Sequence, residues 1–190
     1  MTTTQLTLDS YRPTLETALD NIKRSGLDLD QLRNRASVVC WGAGVDSTAM
    51  IVLMEALDWR PSAITFADTG AEKPETYDFI PTMREWLSDV DFPDVTECRY
   101  TPKDDTHKRY RAATVAAAIR CGIQATDREI DRLAGLFGNS VANETLPGLA
   151  FAQKSCSLKW KLEAQEPMRC VIPELVEAWG RGERVTKLIG

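Results

Sequence analysis

Ser37-Val38-Val39-Cys40-Trp41-Gly42-Ala43-Gly44-Val45-Asp46-Ser47-Thr48 is the stretch on which the fold turns. Val38 to Trp41 suit a buried strand, and the three residues that follow are small. A helix is expected to start at Asp46-Ser47-Thr48. Its run Ala49-Met50-Ile51-Val52-Leu53-Met54 is apolar nearly all round, as for a helix packed inside a sheet layer. Strand, tight turn and helix N-terminus together make an anion site. The first N–H groups of a helix have no helical acceptor, and the helix dipole puts partial positive charge at the same place. Gly42, Ala43 and Gly44 let a polyanion approach the backbone. Asp46 and Ser47 can cap the helix and reach a phosphate-bound metal. No Gly-Lys-Ser/Thr closes the loop, so it is not a Walker P-loop, and the G-x-G-x-x-G spacing of a dinucleotide fold is absent. Small residues equally suit a plain strand-to-helix turn, and the stretch alone leaves both readings open.

Working outward, Thr14 to Arg24 carries Leu15, Ala18, Leu19 and Ile22 at helical spacing, with Gly26 at the C-cap place. Leu27 to Arg35 adds a short helical turn, and residues 1–10 are expected to be a flexible tail. Ser62 to Ala67 is a second strand, ending in Asp68-Thr69-Gly70. Pro74-Glu75-Thr76 opens a helix that runs to about Ser88, and Val95 to Tyr100 is a third strand. Alternating strands and helices imply right-handed βαβ units and a parallel sheet. Ligands gather at the carboxyl ends of such strands, which puts Gly42–Ser47 and Asp68–Thr69 on one edge. Thr101 to Arg111 is expected to be a charged surface loop, with closure over a substrate as the sharper alternative. Helices are expected over Ala112–Cys121 and over Asp127–Phe137, the latter stopped by Gly138-Asn139. A turn-rich connector, Leu146 to Gln153, leads to Lys154-Ser155-Cys156-Ser157-Leu158-Lys159-Trp160-Lys161. Met168 to Trp179 is a final amphipathic helix, suited to the core or to a dimer interface, and Val185 to Ile189 starts another strand.

A length of 190 residues with 43% hydrophobic and 27% charged side chains fits one globular domain, residues 11–190. The net charge of −5 lacks the basic balance of a duplex-coating protein, although a local basic groove is still allowed, so nucleic acid stays open as a partner without being indicated. No apolar run approaches a membrane span, and Met1-Thr2-Thr3-Thr4-Gln5 is not a secretory signal, so a cytoplasmic protein with no membrane partner is expected. Five scattered cysteines and one histidine, with no C-x-x-C pair, predict reduced thiols and neither a structural zinc nor an iron–sulfur cluster.

Three blocks in order give a more specific reading: Gly42-Ala-Gly-Val-Asp-Ser, then Asp68-Thr-Gly-Ala-Glu-Lys-Pro-Glu-Thr-Tyr, then Leu146-Pro-Gly-Leu-Ala with Lys154-Ser-Cys-Ser-Leu-Lys-Trp-Lys. Together they resemble the phosphoadenosine phosphosulfate (PAPS) reductase-like family of the pyrophosphate-loop (N-type ATP pyrophosphatase) superfamily, in its small phage- and bacterial-type members. Gly42 stands where that loop usually has Ser, and Ala43 where it has the first Gly. The resemblance implies an adenine nucleotide alpha hydrolase-like, three-layer α/β/α fold with a mostly parallel central sheet. It also implies ATP, or a sulfonucleotide (PAPS or APS), as ligand. Trp41, Gly42, Ala43, Gly44, Val45, Ser47 and Thr48 would hold phosphates, with Asp46 positioning Mg2+. Asp68, Thr69 and Gly70 would line the nucleotide pocket, and Glu75 and Thr76 would fix the next helix near the phosphates. Lys154, Lys159 and Lys161 would neutralise phosphate charge, with Ser155 beside them among the binding residues; a solvated helix face is the alternative for the lysines, and function is favoured for one of them rather than all. Lys159 and Lys161 are two apart and would not share a helical face. Relatives continue the Val185–Gly190 strand, which implies a chain cut short there.

The chain departs from the reductases in lacking a cysteine near Arg184-Val185-Thr186-Lys187-Leu188-Ile189-Gly190. Cys156, between lysines that would lower its pKa, is either a nucleophile or a small residue beside the phosphate site; Cys40 is expected in the core. The leading expectation is an enzyme that cleaves ATP between the α- and β-phosphates and transfers AMP to an acceptor. Sulfonucleotide reduction and a non-catalytic nucleotide-binding module supporting nucleic-acid modification are the alternatives.

Overall fold

The computed structural model describes residues 12–145 and 157–189. The expected tail, the connector Leu146–Gln153, and Lys154, Ser155 and Cys156 lie outside the described residues.

Four parallel strands, β1 (Ser37–Trp41), β2 (Ala63–Ala67), β3 (Val95–Cys98) and β4 (Thr186–Ile189), form one sheet in the order β3-β2-β1-β4. The sequence dictates this arrangement through apolar runs. β1 and β2 are buried at every position, as strands covered on both faces must be. Side chains alternate between the faces. Val39, Trp41, Ile64, Phe66 and Val95 meet Ile51 and Met54 of α3 (Val45–Ala56) and Ile80, Met83 and Leu87 of α4 (Pro74–Asp89). Leu15 and Leu19 of α1 (Arg12–Arg24) and Leu29 and Leu32 of α2 (Leu29–Arg33) pack on the same cluster. On the other face Val38 and Ala63 meet Ile172 and Leu175, and Ala67 and Cys98 meet Ala164. The covering segment there consists of a π-helix (Ser157–Leu162), the short α8 (Glu163–Gln165), a 3-10 turn (Glu166–Cys170) and α9 (Pro173–Gly180). The domain is therefore a three-layer α/β/α sandwich. No helix among the described residues is long and apolar enough to cross a membrane.

The strand order also locates a crevice. From β1 the chain steps through β2 to β3 on one side, then returns to place β4 on β1's other side. The reversal of direction falls between β1 and β4, and the turn after β1 lies at its carboxyl end, where doubly wound sheets bind ligands.

Several expectations require correction. The charged stretch Thr101–Arg111 is not a loop: α5 runs from Asp104 to Arg120. Asp104 and Asp105 suit the positive end of its dipole, and Tyr110, Thr114 and Ala117 form a buried stripe at helical spacing. The Asp127–Phe137 helix divides into α6 (Asp127–Leu133) and α7 (Leu136–Ala142). Gly138 is inside α7 rather than ending it, because a Cβ there would stand 2.9 Å from Thr114 Oγ1 and 3.0 Å from Tyr110; it lets α5 and α7 pack closely. Met168–Trp179 is not one helix, since Pro173 begins α9 after the 3-10 turn. β3 stops at Cys98, two residues before the expected end. Finally, α3 is not enclosed all round: Val45 and Val52 on its outer side are 85% and 46% exposed.

Candidate functional site

The loop after β1 is held from inside and open outside. Gly44, not Asp46 or Ser47, is the N-cap of α3, and no side chain caps it. Ser47 is buried and closes the loop on itself. Its Oγ accepts the Gly42 N–H at 3.1 Å and donates to the Gly44 carbonyl at 3.3 Å. The expected cap is thus replaced by a staple within the loop. Trp41 donates its indole N–H to Thr48 Oγ1 at 2.9 Å and packs on Phe66 and Phe79, so the strand end is rigid. Ala43 turns the chain at φ 54, a left-handed conformation that costs a residue with a Cβ about 1 kcal/mol. Gly42, Gly44, Val45 and Asp46 face solvent.

Asp46 is the one carboxylate of the loop that could meet a phosphate-borne Mg2+. A Cβ built on Gly44 meets nothing within 4 Å, so there is free space beside the residue that opens α3, whose first N–H groups have no helical acceptor. Asp46 sits beside that space with an exposed carboxylate. Among the described residues no three His, Cys, Asp or Glu side chains converge, so a Mg2+ here would take most ligands from phosphate and water, as Mg2+ commonly does.

The turn after β2 is built differently. Asp68 is 4% exposed, and its Oδ1 accepts the Gly70 N–H and the Tyr77 hydroxyl, each at 2.7 Å. Its Oδ2 pairs with Arg99, the first residue past β3. Thr69, 3% exposed, donates its hydroxyl to Glu72 at 3.0 Å and accepts the Leu136 N–H on its carbonyl at 3.0 Å. Gly70 has φ 73, and a Cβ on it would stand 1.9 Å from the Arg132 carbonyl. Gly135 is held as tightly, its Cβ position being 2.5 Å from the Thr69 carbonyl. Thr69 and Gly70 therefore tie the α6–α7 junction to the sheet edge, while the buried Asp68 carboxylate is engaged by Gly70, Tyr77 and Arg99, unlike the exposed carboxylate of Asp46.

Cations collect around this turn. Lys161 Nζ lies 3.7 Å from Glu72, which joins the third sequence block to the second. Lys159 Nζ stands over the Tyr100 ring at 5.2 Å, and the Arg132 guanidinium over Tyr77 at 4.1 Å. Lys159 and Lys161 thus have different partners, on a π-helix rather than the α-helix their spacing was read against. Glu75 is exposed and Thr76 half-buried in the first turn of α4, behind Pro74. Sequence reasoning missed Arg99 and Arg132, and quoted Tyr77 as the end of the second block without giving it a role. The rule that ligands and their supports gather at strand ends could have found Arg99; nothing local marks Arg132.

Burial and the neighbouring Asp68 push the Tyr77 phenol upward, which keeps it a hydrogen-bond donor. Burial pushes the Cys98 thiol up to about 12 and raises Cys40 as well, so neither is a ready nucleophile. Cys40 lies in the core as expected, 6% exposed.

Fold and edge together define a parallel α/β domain with a Gly-rich turn at its switch point. No protein-family model, curated protein or solved structure matches the chain.

Proposed function

We propose that the chain binds an adenine nucleotide through its phosphates at Gly42–Asp46 and cleaves ATP between the α- and β-phosphates, passing AMP to an acceptor. The observation that carries this reading is the open backbone of the loop at the switch point, with the exposed Asp46 carboxylate beside it. The N–H groups at the start of α3 would take the phosphate oxygens, and Asp46 would hold a Mg2+ that neutralises their charge. Lys159, Lys161 and Arg99 would draw the charge that develops on the leaving pyrophosphate, a contribution made by position rather than by covalent chemistry. Asp68, Thr69 and Tyr77 would act as the frame of the pocket. The thiols and the lack of a spanning helix among the described residues suit a cytoplasmic setting. One observation favours a second reading, nucleotide binding without turnover: the Ser47 hydroxyl faces the loop's own backbone instead of the open side.

Calorimetric titration with ATP, with and without Mg2+, combined with a pyrophosphate assay, separates these readings. Saturable Mg2+-dependent binding with pyrophosphate release is expected, and binding without release selects the second reading. Asp46→Ala should weaken Mg2+–ATP binding at least about tenfold, or 1.4 kcal/mol, with an unchanged melting temperature. Unaltered affinity in that variant would remove the loop from the site.

A further inference from the structure

A cavity of about 170 Å³ opens between the sheet and the segment 165–179. Its walls are apolar, with Val38, Met168, Leu175 and Val185 among them. Its polar groups are few and placed together. Thr65, at the centre of the sheet and 0% exposed, donates its hydroxyl to Gln165 Oε1 at 2.9 Å. Gln165 is 7% exposed, and with its Oε1 engaged the group it can offer a ligand is its amide N–H2. Lys187 of β4 and Glu166 lie on the same cavity wall, Nζ to Oε1 at 3.0 Å.

Two features distinguish this from a packing fault. The covered face of a parallel sheet is ordinarily a continuous apolar surface, yet Thr65 on β2 and Lys187 on the edge strand β4, with β1 between them, interrupt it, Thr65 bonded to Gln165 and Lys187 to the half-exposed Glu166. An apolar pocket with a small number of convergent polar groups is also the usual form of a small-molecule site. The volume falls below the ~300–1,000 Å³ of drug-sized sites, which restricts the occupant to a small metabolite. Charge decides its chemistry. A base and an acid in contact match a ligand carrying both charges on neighbouring atoms, and the apolar walls match a hydrocarbon body.

We propose that this cavity binds a small zwitterion with an apolar side chain, that is, an apolar α-amino acid. Its carboxylate lies against Lys187, its ammonium against Glu166, and its side chain among Val38, Leu175 and Met168. The site is independent of the nucleotide reading, because no residue in it belongs to the β1 or β2 turns.

The test is calorimetry and thermal denaturation of the full chain with L-leucine and L-phenylalanine, against two half-ligands, 4-methylpentanoate and 3-methylbutylamine. One amino acid bound per chain is expected, with each half-ligand at least tenfold weaker. Lys187→Met and Glu166→Gln should each weaken binding at least tenfold. Should either fail to fold, Val185→Phe, which fills the cavity with hydrocarbon, should abolish amino-acid binding while its melting temperature without ligand is unchanged or higher. No binding of either amino acid, half-ligands that bind as well as leucine, or binding that survives Val185→Phe would each overturn the proposal. ATP titration of Val185→Phe reads the other site separately, so the failure of one does not imply failure of the other.

Discussion

The turns after β1 and β2 share an edge and a vocabulary of Gly, Asp and a hydroxyl residue, yet they are opposite devices. After β1 the hydroxyl of Ser47 is turned inward and the carboxylate of Asp46 outward, so the loop keeps its shape and leaves its polar surface open. After β2 both the hydroxyl of Thr69 and the carboxylate of Asp68 are consumed by the protein itself. One turn leaves its polar groups to solvent and the other spends them on the scaffold, and the proposed nucleotide site uses the open one. If the proposed site is right, an exposed acidic residue beside free backbone marks it better than a strongly bonded one at a strand end.

The largest effect that would break this contrast lies in its glycines. Gly70→Ala adds a methyl at a positive φ and 1.9 Å from a backbone oxygen. It should cost about 3 kcal/mol or more, read as a lower denaturant midpoint. Gly44→Ala meets open space at φ −92, loses only the N-cap preference for Gly over Ala, and should cost about 1 kcal/mol or less while lowering Mg2+–ATP affinity. Equal stability losses would mean that the two turns are alike. Next in size, Arg99→Met leaves the Asp68 carboxylate buried without its cation. Breaking a buried pair costs about 3–5 kcal/mol, and the 36% exposure of the Arg99 side chain reduces the expectation to about 2 kcal/mol. A melting temperature equal to the wild type would show that Asp68 does not depend on Arg99.

The smallest effect sharpens the account of Tyr77. Its phenol titrates higher folded than unfolded, so its stabilising contribution is complete below the unfolded value near 10 and is lost as pH rises beyond it. Cys40 and Cys98 act in the same sense from about pH 9 upward. Stability should therefore fall on the alkaline side, and Tyr77→Phe should flatten part of that slope at a cost of about 1 kcal/mol at pH 7. An identical alkaline slope in denaturant unfolding of the variant would show that Tyr77 does not contribute.

The parts of the molecule legible in the sequence are those whose causes are local. A run of buried residues followed by Gly-Ala-Gly and a helical pattern located β1, the loop and α3, and Ser62–Ala67 with Asp68-Thr69-Gly70 located β2 and its turn. What escaped depends on contacts distant along the chain. Arg99 gains its partner from the neighbouring strand, and Gly138 looked like a helix stop because α5, against which it packs, is not adjacent in sequence. The start of α5 was readable in principle, but Lys103, His107, Lys108, Arg109 and Arg111 drew attention from the stripe of Tyr110, Thr114 and Ala117 beneath them. Ser47 and Thr48 show the remaining limit: spacing says that a hydroxyl is present, not which way it turns.

The position of β4 has a consequence for the order of assembly. Val38 of β1 meets both Ala63 of β2 and Lys187 of β4. The second closure spans a segment roughly six times longer and costs about 1.5 kcal/mol more in chain entropy. The β1-β2-β3 half with its helical cover can collapse early, while the sheet's far edge and the layer formed by residues 163–180 wait for the long-range step. Until then Val38, Ala63 and Ala67 present a bare apolar face. Refolding should pass through a stage at which association competes with completion, and dilution should favour recovery of the native chain.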